Sequence, residues 1–434
     1  MKRARPAPSP DLIDGGARRS VLGTLLPSSA TPDAARLVSA HALRSFADGF
    51  VSVVLASYLS GIGFSPLQVG AIVTGTMLGS AMLTLAVGLF GHRVSRRAVL
   101  LGASALMFIT GVGFFGVTAF WPLLLIAVAG TLNPSAGDVS VFLPVEQAIL
   151  PETAADRHRT ALFARFNLGD RFAGALGALA SAVPAIIAHR AGWDLTTAQR
   201  AGFLLYAGMA VAAGLIYATL TPAVDLQPSG GRRAPLSHAR GVVLRLAALF
   251  TLDSLGGGLV VQSLLALWLF ERFDLSVQTA ATIFFFSGLF AALSQLVSPR
   301  LAARIGLINT MVFTHLPSNG LLILAALMPS APLAVACLLA RMLLSQMDVP
   351  ARQSYVMAVV PRNERAAAAS ITNVPRSLGA ALSPLLAGWL LSITSFGWSL
   401  ILAGVIKATY DLLLLVQFRS LKPPEERTGT TPVP

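Results

Sequence analysis

Apolar stretches of about 20 residues recur along almost the whole chain, and this recurrence constrains the fold more than any other feature. A helix of that length crosses the hydrocarbon core of a bilayer. Only 12% of the residues are charged, which is too few to cover the surface of a soluble domain of this size. Because backbone polar groups in lipid must be hydrogen-bonded within the protein, the sequence predicts an all-α polytopic membrane protein.

We predict twelve transmembrane helices, because polar breaks divide the apolar sequence into twelve segments. The predicted spans are residues 37–59, 67–90, 98–118, 121–149, 160–188, 201–221, 241–269, 277–299, 307–327, 332–359, 366–392 and 398–419. Basic residues concentrate in alternate loops, a bias that places both termini in the cytoplasm. The same bias explains the net charge of +13, so no nucleic-acid partner is expected. We expect a monomer in the inner (cytoplasmic) membrane.

The chain divides into two halves around its longest internal polar stretch, which is rich in proline and glycine. Similar residues recur at a nearly constant separation: Asp138-Val139 and Asp348-Val349 are 210 residues apart, and Asp48 and Asp253 are 205 apart. This collinearity predicts two pseudo-symmetric six-helix halves. The predicted regions are a disordered cytoplasmic N-terminal extension (1–35), the first half (36–221), a cytoplasmic linker (222–240), the second half (241–420) and a cytoplasmic tail (421–434).

Two six-helix halves, a cytoplasmic central linker and a basic second loop resemble the major facilitator superfamily. In that family the loop between helices two and three reads Gly-x-x-x-Asp-Arg-x-Gly-Arg-Arg. The first glycine and three bases are present here, but histidine and serine replace the Asp and the second glycine. The family's Asp helps to hold one state of the transport cycle, so the resemblance implies a gating loop that lacks this group. Its residues are Gly88, His92, Arg93, Arg96 and Arg97.

The resemblance also implies that helices one, four, seven and ten line a central cavity. Each of the four predicted helices carries an aspartate at similar depth: Asp48, Asp138, Asp253 and Asp348. Charged side chains inside a bilayer are costly and call for a reason. Asp48 lies four residues after Arg44 on the same helix face, so it can exchange an ion-pair partner for a proton. We therefore expect Asp48 to be the main proton carrier, with Asp253 its counterpart.

Arginines at membrane depth favour an anionic or carboxylate-bearing substrate, because guanidinium groups bind oxyanions through two parallel hydrogen bonds. The tenth helix carries a polar stripe, and further polar residues lie on helices four and eleven. The predicted substrate contacts are Asp138, Arg341, Asp348, Arg352, Tyr355 and Arg376.

A purely structural alternative is that these charges form static pairs. The sequence offers three i,i+4 pairs of opposite charge, namely Arg44–Asp48, Asp348–Arg352 and Lys407–Asp411. His315 and Asn319, one turn apart, are interpreted as hydrogen-bonded core. Periodicity also places Asp253 and Gln262 on opposite faces of the seventh helix.

No enzymatic signature is present in the sequence. No glycine-rich phosphate loop with a lysine occurs, and the lone Cys337 excludes an intramolecular disulfide and a cysteine metal site. We expect no metal and no cofactor. The sequence predicts a proton-coupled secondary transporter that moves a small organic solute by alternating access. Analogy with the superfamily favours export, and the alternatives are an uncoupled facilitator and a membrane receptor or scaffold on a transporter fold.

Overall fold

The structure is a computed structural model that describes residues 26–90, 94–135, 140–155, 158–225, 240–360 and 365–421. Within these ranges the chain contains helices, turns and loops but no β-strand, which confirms the all-α prediction. Short 3₁₀ helices occur at Leu150–Thr153 and Pro222–Asp225. The α-helices are α1 (Pro32–Gly61), α2 (Pro66–Phe90), α3 (Arg96–Gly116), α4 (Phe120–Ala129), α5 (Phe142–Ile149), α6 (Arg159–Ala180), α7 (Val183–Ala191), α8 (Leu195–Ala218), α9 (Arg240–Gly258), α10 (Gln262–Phe273), α11 (Val277–Ile305), α12 (Leu307–Leu327), α13 (Ala331–Ser345), α14 (Asp348–Val359), α15 (Arg365–Ile393) and α16 (Trp398–Phe418).

In the described ranges, eleven helical segments are long and apolar enough to cross a membrane, and α4 is a shorter apolar helix at the place of the fourth span. Together they confirm the predicted twelve-span membrane protein. Four of the predicted spans consist of two helices each: α4 and α5, α6 and α7, α9 and α10, and α13 and α14.

The break in the seventh span has a visible cause in the sequence. Helix α9 ends at three consecutive glycines, Gly256 to Gly258, and α10 begins at Gln262. Glycine is a poor helix former because it loses the most backbone entropy on folding. A side chain at Gly258 would also collide with the carbonyl oxygen of Ala380. The break reorients the residues that follow it relative to α9.

The two halves repeat one packing scheme. In the first half, α1 packs against α6 and α8, and α3 packs against α8; in the second half, α9 packs against α15 and α16, and α12 packs against α16. The pair α2 and α4 corresponds in the same way to α11 and α13. The predicted pseudo-symmetry is therefore present in the fold. The halves meet where α2 packs against α15, α6 against α11, and α1 against α10.

The halves approach each other closely between the start of α2 and the C-terminal part of α15. A side chain on Gly70 would lie 2.7 Å from the Pro384 oxygen and 2.9 Å from the Gly388 α-carbon. The start of α2 follows the first span and the end of α15 precedes the last span, so both lie on the face opposite to the start of α1 and the end of α16. The halves are consequently closed on that face.

Candidate functional site

A cavity of about 480 Å³ lies between the two halves, within the size range of sites for small organic molecules. Most of its wall comes from the second half, through α9 to α15 together with Lys407 on α16. The first half contributes α6, Met77 on α2, and Ser135. The wall extends to Val356 near the end of α14 and to Thr372 near the start of α15, and so towards the face that carries the termini.

The described wall of this cavity carries more bases than acids. Five permanent cations against three acids leave a net charge of +2 with histidine neutral. The cations are Arg171, Arg341, Arg352, Arg376 and Lys407, and the acids are Asp170, Asp253 and Asp348. A net positive wall of this kind attracts an anion rather than a cation.

Asp253 is the centre of a buried ion-pair cluster in the second half. The Lys407 ammonium group donates to Asp253 Oδ1 at 2.5 Å, and Arg352 Nη1 donates to Asp253 Oδ2 at 3.2 Å. Arg352 Nη1 also lies 3.4 Å from Asp348 Oδ2. The predicted Asp348–Arg352 pair is thus present. Lys407, by contrast, forms its ion pair with Asp253 rather than with Asp411.

Behind this cluster, Asp411 is sealed inside the second half. His315 Nδ1 lies 2.9 Å from Asp411 Oδ1, and Asn319 donates to Asp411 Oδ2 at 2.8 Å. The other ring nitrogen of His315, Nε2, lies 4.0 Å from Asp253 Oδ1. His315 and Asn319 are buried as expected, but they connect to the charged cluster and His315 reaches the cavity wall.

Arg341 differs from the other basic residues of the wall. Within the described ranges its guanidinium forms no ion pair; Nη1 lies 3.8 Å from the Met342 sulfur, and the buried Nε has no hydrogen-bond acceptor. Arg376 donates from Nε to the Ser254 hydroxyl at 3.1 Å. Arg341 therefore presents to the cavity a guanidinium that forms no ion pair with any carboxylate of the described residues.

The first half holds a second cluster around Glu146 on α5, whose side chain is fully buried. Arg44 Nη1 donates to Glu146 at 2.8 Å, His41 Nδ1 lies 2.9 Å from its other oxygen, and the Tyr217 hydroxyl donates to it as well. The Arg44 guanidinium also lies 3.7 Å from the ring centroid of Phe142, a cation–π contact. Sequence reasoning missed Glu146, although an acid inside the apolar fourth span was a signal for it.

The Glu146 cluster reaches the cavity through His41 and Asp170. His41 Nε2 lies 3.5 Å from Asp170 Oδ1, and the Ser45 hydroxyl donates to the same oxygen at 2.6 Å. Asp170 lines the cavity beside Arg171, whose Nε is 3.8 Å from Asp170 Oδ2.

Asp48 lies outside the cavity wall and is half-buried. Its partner is Asn133, whose amide donates to Asp48 Oδ2 at 3.4 Å. Among the described residues it forms no ion pair, so the expected Arg44–Asp48 pair is wrong. Arg44 instead crosses to Glu146 on α5, where a fully buried carboxylate gives it a closer partner.

Three further predictions concern the cavity lining. Asp138 lies outside the described residues. Tyr355 is fully buried away from the cavity and donates its hydroxyl to the Leu421 oxygen at 3.0 Å, so the geometry gives no support to its expected substrate contact. The expectation that Asp253 and Gln262 cannot face one cavity is wrong: both line it, because the helix breaks between them.

The expected gating loop is partly described. Gly88 is exposed near the end of α2, and His92 and Arg93 lie outside the described residues. Arg96 Nη1 donates to Glu152 at 2.7 Å, while the Arg97 backbone N–H donates to Asp225 at 3.2 Å and its guanidinium to the Ala218 oxygen. These contacts connect the start of α3 to the 3₁₀ helix after the fourth span and to the end of the sixth span, all within the same half.

Comparisons with known proteins agree with this architecture. The sequence profile of the Major Facilitator Superfamily matches residues 37–347 and 316–433. The chain is 24% identical over 413 residues to the uncharacterized membrane protein YJR124C of Saccharomyces cerevisiae, an alignment that covers 87% of this chain and 92% of that protein.

Solved structures with a similar fold include the nucleoside transporter NupG, with a TM-score of 0.69, 13% identity, and coverage of 90% of this chain and 100% of that one. They also include a D-xylose-proton symporter, with a TM-score of 0.70, 16% identity, and coverage of 87% and 96%. At such identities these similarities show the fold alone.

Proposed function

The chain belongs to the Major Facilitator Superfamily, and we propose that it is a proton-coupled secondary transporter that moves a small organic anion by alternating access. Its fold is that of transporters and not of an enzyme. The observation that carries the proposal is Arg341, a cavity arginine without a carboxylate partner among the described residues.

The anionic substrate follows from the charges of the wall. Arg352 and Lys407 already pair with Asp253, whereas Arg341 has no carboxylate partner among the described residues. A buried guanidinium without a partner is costly, and a carboxylate or phosphate on the substrate supplies two oxygens in the geometry that it binds. Arg376, on the same wall, provides a second positive group. Arg341 therefore acts as the main anion contact, with Arg376, Arg352 and Asp348 around it.

Coupling to protons uses the acids near the cavity. A proton on Asp253 releases Lys407 from its ion pair and removes one of the two carboxylate partners of Arg352, so both cations can then contact the anion. Asp48 has no cation to release among the described residues, so it exchanges a proton without breaking an ion pair. We keep Asp48 as the main carrier and Asp253 as its counterpart. A fold neighbour described as a D-xylose-proton symporter is consistent with such coupling on this architecture.

Alternating access is proposed to occur by rocking of the halves about the cavity. The contact of Gly70 with Gly388 closes the face opposite to the termini and must separate in the other state. The loop with Gly88, Arg96 and Arg97 gates the opposite face. We propose export from the cytoplasm across the inner membrane by a monomer, with both termini cytoplasmic.

The first experiment compares metabolites in cells and spent medium between a deletion strain and an overexpressing strain, with and without a protonophore. We expect one organic anion to accumulate in the medium of the overexpressing strain, with the difference abolished by the protonophore. A shift that survives the protonophore identifies a facilitator. A neutral or cationic solute contradicts the role of Arg341, and no shift under several growth conditions favours a receptor.

The role of Asp48 in proton coupling can be tested with a single substitution. Asp48→Asn is expected to abolish uphill transport while solute exchange down its gradient continues. Asp274→Asn, an exposed acid on the α10–α11 turn, is the matched control. Uphill transport that persists in Asp48→Asn excludes Asp48 as the carrier.

A further inference from the structure

Each half contains one histidine placed between two carboxylates in the same manner. We call each histidine with its two carboxylates a unit. In both units the histidine Nδ1 faces a carboxylate with no exposed surface, and Nε2 faces a carboxylate that lines the cavity. The histidine side chains themselves are 6% and 3% exposed. Each imidazole thus stands between the cavity and the interior of its half.

In the first half the unit is Asp170–His41–Glu146. The distances are 3.5 Å from Asp170 Oδ1 to Nε2 and 2.9 Å from Nδ1 to Glu146 Oε2. The ring is held in this orientation by stacking on Phe166, with centroids 3.9 Å apart. The shorter distance is a hydrogen bond, and a small side-chain movement or one bridging water spans the longer one.

In the second half the unit is Asp253–His315–Asp411. The distances are 4.0 Å from Asp253 Oδ1 to Nε2 and 2.9 Å from Nδ1 to Asp411 Oδ1. The duplication does not explain the agreement, because His41 lies in the first span of its half and His315 in the third. Two spans that do not correspond in the repeat thus each hold a histidine between a cavity carboxylate and a buried carboxylate.

The neighbouring charges are compatible with proton movement in both units. Around His41 the other titratable groups are Arg44 and Asp48 on its own helix, Arg171 beside Asp170, and Tyr217 across from Glu146. Around His315 they are Lys407, Arg352 and Tyr410. Arg171 beside Asp170, and Lys407 and Arg352 beside Asp253, stabilise the cavity carboxylates left after a proton departs. Arg44 beside Glu146 favours the ionised form of that inner acid, so Glu146 is the weaker proton store of the two inner acids.

Resting on the coupling in the proposed function, we propose that His41 and His315 relay protons between the cavity carboxylates Asp170 and Asp253 and the sealed carboxylates Glu146 and Asp411. A proton leaves the cavity acid and bonds to Nε2, and the Nδ1 proton then passes to the inner carboxylate. The imidazole ends in its other tautomer, and one proton has moved inward with no other change of charge. The inner acids store the proton while the cavity is emptied or refilled.

The test records infrared difference spectra of purified protein in liposomes between about pH 8 and about pH 5, where histidine titrates. No solute is needed. Asparagine keeps a donor at the position of Nδ1 but cannot pass a proton, so the variants are His41→Asn and His315→Asn. We expect the difference spectrum of each variant to lack both carboxyl bands and imidazole bands that are present in the wild-type difference spectrum. The control His189→Asn removes an exposed histidine and should change imidazole bands only.

Transport provides a second readout once the metabolite comparison has identified a solute. Each relay variant should lower uphill accumulation at least tenfold while solute exchange stays within about twofold of wild type. Wild-type carboxyl bands in both variants, or undiminished accumulation, would overturn the relay. If wild type moves no solute but the bands change as expected, the proposed function fails and the relay stands.

A structural role for the histidines is tested separately. If an asparagine variant does not fold, nitrogen-15 NMR of the histidines in the wild-type protein decides instead. Two rings that exchange tautomers over the same pH range support the relay. Six rings that titrate as isolated exposed groups, or buried rings that keep one tautomer throughout, contradict it.

Discussion

Glu146 in the first half and Asp253 in the second half are both buried acids held by an arginine, but their surroundings differ. Glu146 is enclosed by Arg44, His41 and Tyr217 and does not line the cavity. Asp253 lies on the cavity wall with Lys407 and Arg352. Glu146 is therefore part of a closed cluster, whereas the cations that pair with Asp253 can also contact a ligand in the cavity.

The Glu146 and Asp253 clusters contain similar ion pairs, but their surroundings suit them to different roles. A closed cluster satisfies its own hydrogen bonds and fixes the helices that carry it, and in the proposed relay it exchanges a proton only through His41. A cluster on a cavity wall can lose a partner to a ligand or a proton and then regain it. The second half also supplies four of the five cations of the described wall, which is why the proposed function assigns substrate recognition to this half.

The largest effect is expected from Asp253→Asn. It leaves Lys407 buried without its carboxylate, while Arg352 keeps only Asp348, and breaking a buried ion pair in this way costs about 3–5 kcal/mol. The midpoint of thermal unfolding in detergent should fall sharply. Adding Lys407→Met should restore part of the loss, because it removes the stranded cation. If the double variant is less stable than Asp253→Asn alone, Lys407 is not held mainly by Asp253.

A smaller loss of stability is expected from Glu146→Gln, about 2–3 kcal/mol. Arg44 keeps its contacts with Tyr217, Ser140 and the Phe142 ring, and a glutamine oxygen still accepts one hydrogen bond. Unfolding in detergent measures the loss, with the exposed Glu271→Gln as the control. A larger loss than in Asp253→Asn would show that the closed cluster is the more costly one to break.

The sequence could not predict which charged residues form ion pairs with each other inside these clusters. Helical spacing placed Arg44 and Asp48 on one face, and they do share it, but it cannot choose between a neighbour one turn away and Glu146, which is 102 residues distant. Lys407 shows the same ambiguity between Asp411 and Asp253. By contrast, the spans, the duplication and the cavity arginines follow from hydropathy and charge, which are properties of the residues themselves.

The helix breaks explain another failure of prediction. A single helical period over the seventh span separates Asp253 from Gln262, yet both face the cavity. The glycines from Gly256 to Gly258 signalled the break, but the new direction of α10 depends on packing against α1. Sequence periodicity therefore holds only up to such a break.

The third prediction compares Arg341 and Arg352, which lie on the same predicted span. Among the described residues, the guanidinium of Arg352 forms ion pairs and that of Arg341 does not. Arg352→Met should destabilise the protein, since Asp253 and Asp348 each lose a partner. Arg341→Met should leave the unfolding midpoint unchanged or raise it, because no carboxylate of the described residues loses an ion-pair partner. Affinity for the transported anion should nevertheless fall at least tenfold. Equal destabilisation by both variants would contradict the difference between them.

The smallest effects are expected at two helix starts. Ser276 caps α11 by accepting from the Thr279 N–H at 3.2 Å, so Ser276→Ala should cost about 1 kcal/mol at any pH. Asp194 caps α8 and accepts hydrogen bonds from the Thr196 hydroxyl and, at 3.1 Å, from the Thr197 N–H. The hydrogen bond from Thr196 and then that from Thr197 lower the Asp194 pKa below its ordinary value of 3.8.

Only the cap formed by Asp194 should contribute a stability that depends on pH, because Ser276 does not ionise. A carboxyl whose pKa is lowered by folding stabilises the folded state above its unfolded pKa of about 3.9, and the contribution disappears as the pH falls through the folded value. The unfolding midpoint of Asp194→Ala should therefore lie below that of wild type at neutral pH and approach it under strongly acidic conditions. The difference for Ser276→Ala should stay constant. A constant difference for Asp194→Ala would show that its carboxylate charge contributes nothing to the cap.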